Sequence, residues 1–183
     1  VTLEVFGEGT SPGPSGNIED NSYVSFGEAM QKLEDNGVSP NIASYLGAAT
    51  VRIQEIGYAN RKATDEEMES MREIVKSAME EGAIGIGSSL IYAPGDYADT
   101  NELIELSKVA SSYGGRYISH MRNEDSRILS AVDELIEIAE KADIPAEIYH
   151  LKASRKANYH LLDSVISRVE EARSKGLKIT ADM

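Results

Sequence analysis

The sequence contains no cysteine. Disulfides, thiolate zinc sites and a cysteine nucleophile are therefore excluded, and the composition is compatible with a cytoplasmic protein. No apolar run approaches the roughly 18 residues of a membrane span. No charged-then-apolar leader opens the chain, so no signal peptide is expected. The first residue is Val1, already inside a strand-like run, so a natural start further upstream is expected. Positive charge is scarce: 18 Lys and Arg stand against 31 Asp and Glu, a formal net charge of −13. Phosphate backbones repel such a chain, which argues against a nucleic-acid partner. The acid is spread along helix-like stretches, the pattern of solvated faces. With 183 residues, 41% hydrophobic and 27% charged, the chain can bury a sizeable core. A single domain over 1–183 is expected.

What is present is regular. Short, mostly apolar runs read as strands: Val1–Phe6, Asn41–Leu46, Ala83–Gly87, Arg116–His120, Ala146–His150 and Leu177–Asp182. Their two-sided apolar character suits a buried parallel sheet. Amphipathic stretches alternate with them. Ser25 with Glu28, Thr64 with Glu67 and Asp99 with Glu102 have the spacing of capping boxes. They open helices ending near Gly37, Gly82 and Gly114. Met68, Met71, Ile74, Val75 and Met79 recur on one face of the second helix. Two more helices are expected over about 125–142, stopped by Ile144-Pro145, and about 158–175, closed by Gly176.

Strand alternating with helix predicts βαβ units. A doubly wound sheet would place a Gly-rich turn and a helix after its first strand. Here that strand runs into Gly7-Glu8-Gly9-Thr10-Ser11-Pro12-Gly13-Pro14, a poor helix start. The expected fold is therefore α/β, an incomplete (β/α)8 TIM-barrel type with about six of the eight strands.

Enzymes on such sheets place chemistry at the carboxyl ends of strands. Only three histidines exist, and two fill matched slots: His120 ends the fourth strand and His150 the fifth. Neighbouring strands would bring both imidazoles to one rim, where they could ligate zinc or a similar ion. The alternative is two unrelated histidines hydrogen-bonded at strand ends. His160, near a helix start, reads as surface or capping. Glu8 can serve as ligand, as base or as a loop acid. Lys152 can steer an anionic substrate or stay solvated. Tyr92 can hydrogen-bond a substrate carbonyl or pack its loop. Arg122 and Glu124 read as bracing their own loop, and Asp182 ends a strand without a readable role.

Three segments carry a resemblance: Gly82-Ala83-Ile84-Gly85-Ile86-Gly87-Ser88-Ser89-Leu90-Ile91-Tyr92-Ala93-Pro94-Gly95, Ser119-His120-Met121-Arg122-Asn123-Glu124 and Tyr149-His150-Leu151-Lys152. They resemble the N-acyl-D-amino-acid deacylases (D-aminoacylases) of the amidohydrolase superfamily, a (β/α)8-barrel family. The resemblance implies that His120 and His150 bind zinc on the fifth and sixth barrel strands. Val1–Phe6 then becomes the second strand and Leu177–Asp182 the seventh. It implies that Tyr92 and Lys152 contact substrate. The family's His-x-His pair would lie upstream of Val1, and its catalytic aspartate beyond Met183. Two features depart from the pattern. The family's metal-binding cysteine after the second strand is absent, Glu8 being the nearest substitute, and Gly47-Ala48-Ala49-Thr50-Val51-Arg52 lacks the histidine often found after the third.

The implied function is a zinc-dependent amide hydrolase acting on small N-acyl-D-amino acids, the fragment itself expected to be inactive. Cyclic amides or dipeptides with a D-residue are the alternative substrates. A non-catalytic barrel fragment or scaffold is the alternative of another class. An open sheet would expose two edges, so flanking segments of the same barrel or a homo-oligomer are expected partners.

Overall fold

Capped amphipathic stretches and short apolar runs become alternating helices and strands in the computed structural model, which describes residues 1–17 and 19–183. The strands are β1 (Leu3–Phe6), β2 (Asn41–Ser44), β3 (Leu46–Gly47), β4 (Gly85–Ser89), β5 (Arg116–His120), β6 (Ala146–Ile148) and β7 (Ile179–Ala181). β1 pairs with β2, and β3 through β7 pair in chain order, all parallel. β2 and β3 are the two halves of one stave, parted at Tyr45. The Tyr45 amide donates to the Phe6 carbonyl (2.9 Å) and the Ile84 amide to the Ser44 carbonyl (3.1 Å), which keeps the stave tied on both sides. The result is parallel staves in strict chain order. A doubly wound sheet reverses its order at a switch point; a barrel does not. The fold is part of a (β/α)8 barrel, with β1 and β7 as its outermost strands.

The helices are α1 (Phe26–Asn36), α2 (Ala48–Ile56), α3 (Asp65–Glu80), α4 (Thr100–Ser112), α5 (Ile128–Ala142) and α6 (Leu162–Ser174). Ser25/Glu28 and Thr64/Glu67 form reciprocal capping boxes on α1 and α3, each worth about 1 kcal/mol. The third box forms only by half. Asp99 accepts from the Glu102 amide (2.9 Å), but the Glu102 carboxylate turns inward to Arg52 (2.6 Å). That buried pair anchors α2 to α4. Sequence periodicity misses α2 because it follows β3 directly from Gly47, without a side-chain cap, and buries Ala48 through Arg52. A run buried on every side shows no amphipathic stripe. α5 begins at Ile128, three residues later than expected, because Asn123 and Asp125 spend their side chains on turn amides. A short 3-10 turn over Lys156–Leu161 precedes α6 for a similar reason: Asn158 is buried and bonded to Asp125 and Ser154.

The core lies between the sheet and its helices, with Val75, Leu103, Leu106, Ile138 and Ile148 fully enclosed. Burying each such side chain contributes about 1.5–3 kcal/mol. β1 differs: its four residues are all exposed.

Candidate metal centre at the strand ends

His120 is the last residue of β5 and lies on the same pleat face as Ile118. Tyr117 and Ser119 occupy the other face. There the Ser88 hydroxyl is 2.7 Å from the Tyr117 hydroxyl and donates to Ser119 (3.0 Å). Burial pushes the Tyr117 phenol up to about 12. His150 is placed otherwise. The expected strand Ala146–His150 ends early, at Ile148, and His150 sits in a turn with φ +37°. That left-handed backbone costs a non-glycine residue about 1–3 kcal/mol. The residue just after β7 compensates: the Asp182 carboxylate accepts the His150 amide, and the Asp182 carbonyl accepts from the Leu151 amide (2.8 Å). Asp182 thus has a role that the sequence leaves unread.

Glu8 reaches the same rim from the loop after β1. The loop crosses β4 at van der Waals distance, and only glycine permits it: a Cβ on Gly87 would collide with the Gly7 carbonyl, and one on Gly9 with Ser89.

The three side chains converge. The two imidazole centroids are 4.4 Å apart at 80°. Glu8 Oε1 lies 3.0 Å from His120 Nδ1 and 3.4 Å from His150 Nε2. One donor atom from each residue falls within 4.8 Å of the others. The donor set fits a small divalent cation. With bonds of about 2.0–2.1 Å, neighbouring ligand atoms of a tetrahedral zinc stand about 3.3 Å apart, and 3.0 and 3.4 Å bracket that spacing. His120 is nearly enclosed, yet its Nε2 has no hydrogen-bond partner. Its orientation is thus set by what its Nδ1 faces.

A second carboxylate lies behind the rings. Glu124 Oε1 is 2.9 Å from His150 Nδ1, 2.7 Å from Lys152 Nζ and 3.9 Å from His120 Nε2. Lys152 Nζ also lies 2.8 Å from His150 Nδ1. Arg122 does not brace its own loop with Glu124, as the sequence suggested. It pairs with Glu134 (2.9 Å) and donates to the carbonyls of Asp96 (3.0 Å) and Ala98 (2.8 Å). It therefore holds the loop carrying Tyr92, whose ring centroid is 5.5 Å from that of His120. Glu124 and Arg122 diverge because the residues after β5 form an irregular turn, where sequence neighbours need not share a direction. His160 is exposed in the 3-10 turn.

An open cavity of about 670 Å³ lies over this cluster, walled by Phe6, Thr10, Ala49, Tyr92, Pro94 and Tyr149. Tyr149 was not singled out from the sequence, although it directly precedes His150. Burial first, then the charges of Glu8, Asp182 and Glu147, push its phenol up, so it faces the cavity as a neutral donor. No helix among the described residues is long and apolar enough to cross a membrane.

Parallel staves in chain order, with imidazoles at the ends of adjacent ones, define the class: part of a (β/α)8 barrel with a candidate metal centre on its carboxyl rim. No family model matches the chain. Among curated proteins, the D-aminoacylase of Alcaligenes xylosoxydans xylosoxydans is 29% identical over 178 residues, which is 96% of this chain and 37% of that protein. Two solved D-aminoacylase structures align with the whole chain and 41% of their own, each at 26% identity. One, described for the functional role of its binuclear metal centre, has a TM-score of 0.89; the other, described as defining a novel subset of amidohydrolases, 0.86. The chain is similar to D-aminoacylases over nearly all of its own length, and spans little more than a third of theirs.

Proposed function

We propose that this chain carries the histidine side of the metal site of a hydrolase that removes the acyl group from N-acyl-D-amino acids. One observation carries the reading: His120, His150 and the Glu8 carboxylate bring one donor atom each within 4.8 Å of one another on the carboxyl rim of a barrel similar to that of D-aminoacylases, with Glu8 Oε1 3.0 Å and 3.4 Å from the two rings. The naming of a binuclear metal centre in one of those neighbours supports a metal here. Two imidazoles and a carboxylate favour zinc.

His120, His150 and Glu8 would hold the ion. When bound, zinc supplies polarisation of an amide carbonyl and activation of a water at neutral pH. The chain's other residues orient the substrate. Tyr92, at the cavity mouth, donates its hydroxyl to the acyl oxygen. Lys152 presents a half-exposed ammonium to the substrate carboxylate, on the His150 side of the rim. Phe6, Ala49 and Pro94 give the open cavity apolar walls against which an acyl chain can pack. The general base and the remaining ligands are expected from barrel strands outside these 183 residues.

The test is zinc content of the purified chain, followed by amine release from N-acetyl-D-amino acids and their L-enantiomers by a polypeptide of the relatives' full length. Stoichiometric zinc and D-selective turnover, both lost in His120→Ala and His150→Ala, are expected. Metal-free protein indifferent to either substitution would overturn the reading in favour of a scaffold.

A further inference from the structure

Tyr92 reaches the cavity from a loop that packing alone does not hold: Tyr92 is 60% exposed and Ile91 42%. Polar tethers hold it instead. The turn is bonded within itself. The Asp96 amide donates to the Tyr92 carbonyl (3.0 Å), that of Tyr97 to Pro94 (3.1 Å) and that of Ala98 to Gly95 (3.2 Å). The carbonyls of Asp96 and Ala98 both accept from the Arg122 guanidinium. A guanidinium is a planar fork on a flexible stem, and what fixes this one is Glu134 on α5. The Glu134 carboxylate accepts from Arg122 Nε at Oε2 (2.9 Å) and from Nη2 at Oε1 (2.9 Å). That bidentate pairing leaves Nη1 and the second Nη2 hydrogen for the two loop carbonyls. Glu134 Oε1 also accepts from the hydroxyl of Thr100, the first residue of α4 (2.9 Å). One largely buried carboxylate therefore holds the loop through Arg122 and at its far end through Thr100. Neither Arg122 nor Glu134 walls the cavity, so both reach a bound molecule there only through the loop.

We propose that Glu134 is a positioning residue: by fixing the Arg122 fork and the start of α4, it sets where the Tyr92 hydroxyl stands beside His120. The geometry stands by itself; the consequence for turnover rests on the hydrolase reading above, in which that hydroxyl meets the acyl oxygen. A carboxylate that only stabilised the fold would change stability without acting through Tyr92.

The test is a double-mutant cycle between Glu134→Gln and Tyr92→Phe, in a polypeptide of the relatives' full length, with N-acetyl-D-amino acids as substrates. Glu134→Gln keeps the volume and one acceptor oxygen but turns an amide toward the other donor. It should lower kcat and kcat/KM equally, about tenfold, as expected when a transition-state contact is misplaced. In the Tyr92→Phe background the same substitution should change kcat less than about twofold. The two effects on the urea midpoint, by contrast, should add. Amide exchange on the 183-residue chain gives a readout without substrate: Asp96, Tyr97 and Ala98 should exchange about tenfold faster in Glu134→Gln, and Leu151 at the wild-type rate. Where Glu134→Gln does not fold, Arg122→Lys keeps a charge beside Glu134 without spanning both carbonyls, and serves the same comparisons. An equal loss of kcat with and without the Tyr92 hydroxyl, undiminished turnover in a folded variant, or unchanged exchange at the three amides would overturn the proposal. A wild-type polypeptide that turns over no N-acyl-D-amino acid would overturn the hydrolase reading and the role in turnover with it, and the exchange rates would then show whether the clamp on the loop survives.

Discussion

The β5 and β6 rims each present one imidazole to the same cavity, but they hold it by different means. At β5 the sheet does the work. His120 is the final residue of a fully paired strand, its side chain only 8% exposed, with a buried Ser88–Tyr117–Ser119 hydroxyl cluster on the strand's other face. At β6 the strand has already ended. His150 stands in a strained turn, its side chain 31% exposed, and is held from outside by Asp182, Glu124 and Lys152. The same ring is thus positioned once by backbone pairing and once by a side-chain network. The first is costly to disturb; the second can be retuned by single substitutions.

The largest effect expected from breaking this contrast is at Arg122, which ties the β5 rim to the Tyr92 loop. Arg122→Ala removes donors to two carbonyls and leaves the mostly buried Glu134 carboxylate with the Thr100 hydroxyl as its remaining donor. A loss of about 2–3 kcal/mol is expected, read as a lowered urea midpoint, with faster amide exchange over the Tyr92 loop and little change at His150. A smaller effect sharpens the β5 side. Burial holds the Tyr117 phenol at about 12, against an ordinary value of 10.0. Between these values the unfolded chain gives up its proton while the folded one keeps it, so stability falls as pH rises through that window. Tyr117→Phe should lose about 1 kcal/mol at neutral pH but show a flatter alkaline decline in equilibrium unfolding. An unchanged slope would mean that the phenol does not couple to folding.

These differences also explain what the sequence disclosed. Arg116–His120 reads correctly as a strand to its last residue because a β-branched and aromatic run meets a polar loop at His120. Ile148-Tyr149-His150 has the same texture, yet the strand stops two residues sooner. Nothing local distinguishes a strand end from a turn that Asp182, thirty-two positions on, must stabilise. Capping spacing located α1 and α3 but overstated the box at Asp99, because Glu102 was claimed by a buried arginine on a helix with no stripe of its own. Glu8 was legible only as an acid between two glycines. Its place over the imidazoles depends on the crossing that Gly87 allows. Glu124 was misread because spacing along an irregular turn does not tell direction.

The most direct measurement is zinc-edge X-ray absorption on the chain loaded with one equivalent of the metal. Scattering from two imidazoles together with a carboxylate oxygen, the second imidazole vanishing in either His120→Ala or His150→Ala, is the predicted result. A spectrum with one imidazole or none in the wild-type chain would contradict the account.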